Sequence, residues 1–161
     1  RRAGRLGVRV LPRQLRALSV AVVRRARAED ADAVFELVRQ LGATFVPVRA
    51  IFDDTFAEIL AGDDTDVQVI VAEDEQGVVR GYALTTIARL LSTNGLSAQL
   101  QEIVVDEHAR GLDLGTALVH EVEAECIRRG VRQLTVAARR AGGFYDRLGY
   151  SQNAEYMRRV F

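Results

Sequence analysis

Apolar residues recur along this chain with two different spacings, and the change from one to the other predicts its elements. Ala33, Val34, Leu37, Val38 and Leu41 fall on one face of a helix over Glu29–Leu41. Glu29, Asp30 and Asp32 open that helix, where acids complement the positive end of its dipole, and Gly42 stops it. A weaker helical pattern runs from Arg49 to Leu60 and ends at Ala61-Gly62-Asp63-Asp64. The clearest helix is Leu114–Arg129, with Leu114, Leu118, Val122 and Cys126 on one face and Gly130 as its stop. A short fourth helix spans Gly142–Leu148 and ends at Gly149.

Between these segments the spacing is that of strands. Leu18–Arg27 is rich in valine. Val67–Glu73 and Val78–Ala88 flank Asp74-Glu75-Gln76-Gly77, a hairpin loop by composition. Leu96–Asp106 follows the turn Ser92-Thr93-Asn94-Gly95, Gln133–Ala138 reads as a short buried strand, and Tyr150–Val160 reads as a last strand. The predicted order is strand, two helices, three antiparallel strands, helix, strand, helix, strand. That is an α/β protein of the α+β kind with a mixed sheet, not the regular βαβ alternation of a dinucleotide fold. No glycine-rich loop follows the first strand, which argues against a nicotinamide site.

Composition narrows the class. With 161 residues, 48% of them apolar and 27% charged, the chain has the profile of one globular domain. No apolar run is long enough to span a bilayer, and the first residues lack the apolar core of a secretory signal. A cytoplasmic location is the expectation. Cys126 is the only cysteine, so neither an internal disulfide nor a cysteine metal cluster is expected. The zero net charge hides an asymmetry. Residues 1–28 carry nine arginines and no acid, and the rest of the chain carries 13 arginines against all 22 acids, a balance of −9. Residues 1–19 read as a basic extension ahead of a domain over 20–161. Its arginines are not interleaved with aromatics, and the body is acidic, so no nucleic-acid partner is expected.

One stretch carries chemistry: Val104-Val105-Asp106-Glu107-His108-Ala109-Arg110-Gly111-Leu112-Asp113-Leu114-Gly115-Thr116-Ala117-Leu118. A strand runs into a polar loop that opens directly into a helix. The first amides of a helix lack internal acceptors and point along the positive end of its dipole. A glycine lets a diphosphate approach the backbone, and Arg110 adds charge. The arrangement suits a phosphate-bearing ligand.

This stretch resembles the acetyl-CoA-binding motif of the GNAT superfamily, in which Arg or Gln is followed by two residues, Gly, one residue, and Gly or Ala. A second block, Ala141-Gly142-Gly143-Phe144-Tyr145-Asp146-Arg147-Leu148-Gly149-Tyr150, resembles the closing pattern of the same family. The two blocks stand in the family's order, separated by one helix and one strand. The resemblance covers about residues 20–161 and implies a mixed sheet of six to seven strands flanked by about four helices. It implies acetyl-CoA as co-substrate, no metal, an amine acceptor, no nucleic-acid or membrane partner, and a homodimer paired through the final strand. Two positions depart from the family. Asp113 stands where the first motif glycine falls, setting a carboxylate beside the expected diphosphate. Ala138 stands where many relatives have an Asn that touches the coenzyme, with Arg139 and Arg140 after it.

By the resemblance, Ile103, Val104 and Val105 lie on a strand that splays from its neighbour and pairs its backbone with the pantetheine arm. Arg110, Gly111, Leu112, Asp113, Leu114, Gly115 and Thr116 hold the diphosphate. The amide of Val104 is the expected donor to the oxyanion formed as an amine attacks the thioester. Glu102 falls where related enzymes place a general base, and Tyr145 falls where many place the acid that protonates the departing thiolate. Each also has a plain structural reading: Glu102 as a solvent-facing residue on a strand, Tyr145 as an aromatic filling the core beside Phe144. His108 sits in the loop, far from the thioester on this reading, and ranks below Glu102. His120 reads as a surface residue. Cys126 lies on an apolar helix face and reads as a small core residue, so transfer is direct and not through an acyl-cysteine.

The acceptor is encoded in 42–66 and 86–98, where Phe45, Phe52 and Phe56 and the acids Asp53, Asp54 and Glu58 either shape an amine site or form a solvated helix face. Antibiotics, polyamines, amino sugars, amino acids and protein amines all stay open as acceptors. So do a module that binds coenzyme A without turnover, for which Asp113 speaks, and transfer of a longer acyl group.

Overall fold

A computed structural model describes residues 22–42, 45–62, 66–138 and 143–161. The basic extension, residues 18–21 of the predicted first strand, Asp63, Asp64, Arg139, Arg140, Ala141 and Gly142 lie outside the described residues.

The sheet is built around the two hairpins read from the sequence. Strands β1 (Val22–Arg25), β2 (Val67–Glu73), β3 (Val79–Leu90) and β4 (Gly95–Val105) lie side by side and antiparallel. β5 (Gln133–Val136) joins β4 in parallel, giving the order β1-β2-β3-β4-β5. The β2–β3 turn closes because Gly77 takes φ +74° and the Asp74 carboxylate accepts the amides of Gln76 and Val78 at 3.0 Å each. A parallel neighbour needs a crossover, which α3 (Leu114–Arg128) supplies between β4 and β5.

Helices α1 (Ala31–Gln40) and α2 (Arg49–Ala61) share a core with one face of the sheet, while α3 covers the other face; α4 (Phe144–Arg147) is a single turn. The two faces carry separate cores, as strand alternation requires. On the α1/α2 face, Val34, Leu37 and Phe56 pack with Val69, Val71, Tyr82 and Val104. On the α3 face, Leu114, Leu118, Val119 and Val122 pack with Ile70, Ala83, Ala98 and Leu100. Gly81 has no room for a side chain between the backbone of β4 and Leu118 of α3. A Cβ at Gly81 would sit 2.9 Å from the Val104 carbonyl and 3.2 Å from Leu118 Cδ1.

The sheet has five strands among the described residues, where six to seven were expected. Residues 151–161 form no strand and are exposed throughout. Neither alternate set of their side chains is consistently apolar: Tyr150, Ala154, Tyr156 and Val160 are interrupted by Gln152 and Arg158. Such a segment offers the sheet no buried face. β5 is accordingly the last strand, and it alternates exposed and half-buried positions instead of being buried as predicted.

The expected dipole role of the first acids is only part of their use. Asp30 is almost wholly buried and takes both guanidinium nitrogens of Arg24 at 2.7 and 2.9 Å, together with the Arg27 amide at 2.7 Å. Arg24 also reaches Glu73 on β2 at 2.7 Å. One of the N-terminal arginines thus ties β1 to β2 and to the start of α1. The Arg24 hydrogen bonds hold the Asp30 carboxyl below its ordinary 3.8 against the opposing effect of burial. A depressed carboxylate stabilises the fold fully above its unfolded value and loses that effect as pH falls through its folded value. Asp30→Asn is therefore expected to lower stability at neutral pH by about 2 kcal/mol. It should also flatten the loss of stability below pH 3.8, as read by urea unfolding across pH.

Candidate active site

The site begins with an irregularity in β4. Opposite Leu84 stands Glu102, and opposite Thr85 stands Leu100, so Gln101 is an extra residue, a β-bulge. One extra residue reverses the alternation of every side chain that follows. Before the bulge, Ala98 and Leu100 point into the α3 core; after it, Ile103 and Val105 do, and Val104 joins the α1/α2 core. The bulge thereby turns Glu102 to the α1/α2 face, where its Oε2 accepts the Tyr82 hydroxyl at 2.8 Å. Gln101 Nε2 donates to Thr86 Oγ1 at 2.7 Å and pins the bulge.

The same residue reverses the backbone. The Leu96 carbonyl accepts Arg132 N–H at 2.8 Å, so the even positions before the bulge face β5. Beyond it, the Asp106 amide donates to the Arg80 carbonyl of the β3 side at 2.7 Å. By alternation, Glu102 and Val104 turn their amides to β3, and Ile103 and Val105 turn theirs to the other side. On that side β5 pairs with Ser97 to Leu100 and goes no further. The backbone of Ile103 and Val105 is left with no sheet partner among the described residues. Val104, the expected oxyanion donor, turns its amide to β3, and the amides on the open edge are those of Ile103 and Val105.

The loop after β4 is held from below. The Asp106 carboxylate accepts the His108 amide at 3.0 Å; that bond first, and Arg80 after it, hold its carboxyl below the usual range. Gln40 at the end of α1 accepts the Glu107 amide at 3.1 Å. Ala109 and Leu114 are buried and Leu112 half-buried, so apolar side chains anchor the loop while its backbone faces outward. Gly111 takes φ +83° and Asp113 φ +58°, both left-handed. Asp is among the few side chains that enter this region, which is how Asp113 stands in for glycine here. Its carboxylate is exposed and makes no capping bond. The first intrahelical bond of α3 runs from Ala117 N–H to the Asp113 carbonyl, leaving the amides of Leu114, Gly115 and Thr116 without helical acceptors.

These amides open on a cleft of about 430 Å³. Val105, Arg110, Gly111, Asp113, Gly115 and Thr116 line it together with Phe144, Arg147 and Leu148. A Cβ at Gly115 would rest 3.6 Å from the Phe144 ring and 3.7 Å from Val105, ordinary contact, which fits a motif that accepts Gly or Ala there. Phe144 and Arg147 were not singled out as site residues in the sequence. Arg147 follows from the helical turn of α4, which sets it on the same side as Phe144; nothing in its sequence neighbourhood marks it. Tyr145 lies beside this wall and not in it. Its ring meets Phe144 edge-on at 5.0 Å and Tyr150 at 5.5 Å, and burial raises its pKa. His108 is 83% exposed and pairs with Glu107, and His120 is exposed. Cys126 is buried in the α3 core, and burial pushes its thiol up, away from nucleophilic reactivity. Ala138 is exposed beyond the end of β5. Among the described residues no group of His, Cys, Asp and Glu is arranged to hold a metal, and no helix is long and apolar enough to cross a membrane.

Phe52 stacks on Phe56 at 5.3 Å and meets Phe35 at 5.2 Å, so two of the three acceptor-region aromatics join the α1/α2 packing. Phe45 is exposed. Asp53 accepts Arg49 at 2.8 Å as a helix-surface pair.

Residues 65–152 match the family model described as an acetyltransferase (GNAT) domain. Glucosamine 6-phosphate N-acetyltransferase of Arabidopsis thaliana is 26% identical over 128 residues, 78% of this chain and 86% of that protein. Its crystal structure superposes with a TM-score of 0.76 at 25% identity, covering 88% of this chain and 99% of that one. A putative acetyltransferase from Agrobacterium tumefaciens shares the fold, with a TM-score of 0.76 at 20% identity over 87% of this chain and 99% of that one. The chain belongs to the GNAT family of acetyltransferases.

Proposed function

We propose that this protein is an N-acetyltransferase that moves the acetyl group of acetyl-CoA directly to a primary amine. The observation that carries the reading is the open edge of β4 at Ile103 and Val105, continuous with the unpaired amides of Leu114, Gly115 and Thr116. An extended pantetheine arm supplies the peptide-like groups that such an edge pairs with, and a diphosphate fits the positive end of α3. Arg110 and Arg147 flank the cleft and add charge for the phosphates.

In this reading the amine enters from the α1/α2 side, where Glu102 takes its proton. Its nitrogen bonds to the thioester carbon, the carbon–sulfur bond breaks, and Tyr145 donates a proton to the departing thiolate. A phenol is protonated through the neutral range, the form that donates, and burial raises the Tyr145 pKa further. Placing both substrates together supplies much of the rate. The Arabidopsis relative, named for glucosamine 6-phosphate, supports an amine carried by a small molecule as acceptor.

A second reading, a module that binds coenzyme A without turnover, is favoured by the Asp113 carboxylate at the mouth of the diphosphate site. Calorimetric titration with acetyl-CoA tests both. Micromolar binding is expected, and its absence in folded protein sinks the acetyltransferase reading. Asp113→Gly removes a like charge from the phosphates and should tighten acetyl-CoA binding about five- to tenfold at low salt, less at high salt. An unchanged affinity means that the carboxylate points away from the ligand and removes the case for a degenerate site.

A further inference from the structure

Among the described residues, Tyr82 is the one large polar side chain sunk in the α1/α2 core. It is 2% exposed, surrounded by Val34, Leu37, Val71 and Val104, and its hydroxyl reaches out only to Glu102. The contact follows from the bulge. With Leu84 opposite Glu102 and Tyr82 opposite Val104, Tyr82 and Glu102 are diagonal neighbours on one face. Without Gln101, Glu102 would point into the α3 core and Tyr82 would have no partner. The helices that pack over this face present Val34, Leu37, Val38, Leu41, Phe52 and Phe56, all apolar. Among the described residues, Glu102 is thus the charged group acting on Tyr82, and burial together with Glu102 keeps Tyr82 a neutral phenol that donates to the carboxylate.

We infer that Tyr82 is a positioning residue for Glu102: its buried hydroxyl holds one carboxylate oxygen from the core side and leaves the other directed at the acceptor. The inference rests on the reading of Glu102 as the general base. A carboxylate on a strand with free rotamers presents its oxygens in many directions, and one strong hydrogen bond from a fixed donor removes most of them.

The test is carbon-13 NMR of glutamate-labelled protein at neutral pH, with the Glu102 carboxyl resonance assigned by its loss in Glu102→Gln. In folded Tyr82→Phe that resonance is expected to shift and broaden, as a carboxylate released to several rotamers does. An unmoved and equally sharp resonance in folded Tyr82→Phe overturns the inference. Where that variant does not fold, the parent protein answers: the Tyr82 ring-carbon resonance must change in Glu102→Gln, and a Tyr82 signal indifferent to that substitution overturns the inference equally. Thiol release from acetyl-CoA with glucosamine 6-phosphate as probe amine is measured beside it. Full turnover by Glu102→Gln sinks the base reading whatever the NMR shows. A dead Glu102→Gln with an unmoved Glu102 resonance in Tyr82→Phe sinks only the role of Tyr82.

Discussion

Glu102→Gln is expected to lower kcat for amine acetylation by about 10²- to 10³-fold, the range for removing a general base. The affinity for acetyl-CoA should stay within about twofold, since the coenzyme groups expected to meet the protein lie at the β4 edge and the start of α3. The amide is the right replacement because its oxygen still accepts the Tyr82 hydroxyl that Glu102 accepts at 2.8 Å. Packing and the bulge are then undisturbed, and the variant tests basicity alone. The measurement is steady-state thiol release at saturating acetyl-CoA, with calorimetry for binding. A kcat within threefold of the parent protein would leave Glu102 as a structural partner of Tyr82 and send the search for the base to the acceptor side. If kcat and acetyl-CoA affinity fall together, the substitution has disturbed the β4 edge, and the comparison says nothing for a base.

The second large effect is on stability. Leu118 is wholly buried in the second turn of α3, with its Cδ1 over Gly81. Leu118→Ala should cost about 3 kcal/mol, from lost burial and from the cavity left between helix and sheet. The backbone of Gly81 offers no side chain to collapse into that space. For a chain of this size the melting temperature should fall by roughly 6–12 °C. Because α3 carries the candidate diphosphate site at its first turn, acetyl-CoA should recover part of the loss by mass action. Thermal unfolding with and without ligand reads both. A drop under about 1 kcal/mol would mean that α3 shifts onto the sheet to close the gap, a rearrangement the close approach at Gly81 opposes.

Much of this molecule is legible along the chain because its cues are local. Valine-rich runs, the Asp74–Gly77 turn and the Leu114, Leu118, Val122 and Cys126 stripe depend on residues a few positions apart. Strand β2 and helix α2 accordingly fall within a residue of their predicted bounds. The loop from Arg110 to Thr116 is legible for the same reason: strand, glycine and helix start are consecutive. The final strand was misread because a run can have strand-like residues and still present no coherent apolar face to a sheet.

What the sequence by itself determined is therefore the order of elements as far as α4, the family and the run of strand, glycine loop and helix start. The tertiary structure alone decided what depends on pairing. Gln101 looks like any strand residue until β3 lies beside it and leaves it without a partner. That single mismatch selects which amides face the open edge, and it turns Glu102 to Tyr82, 20 residues away in the chain. It was also the tertiary packing that brought Arg147 to the cleft Arg110 lines and set the Tyr145 ring against Tyr150. Register and facing are properties of two segments at once, and no spacing within either segment encodes them.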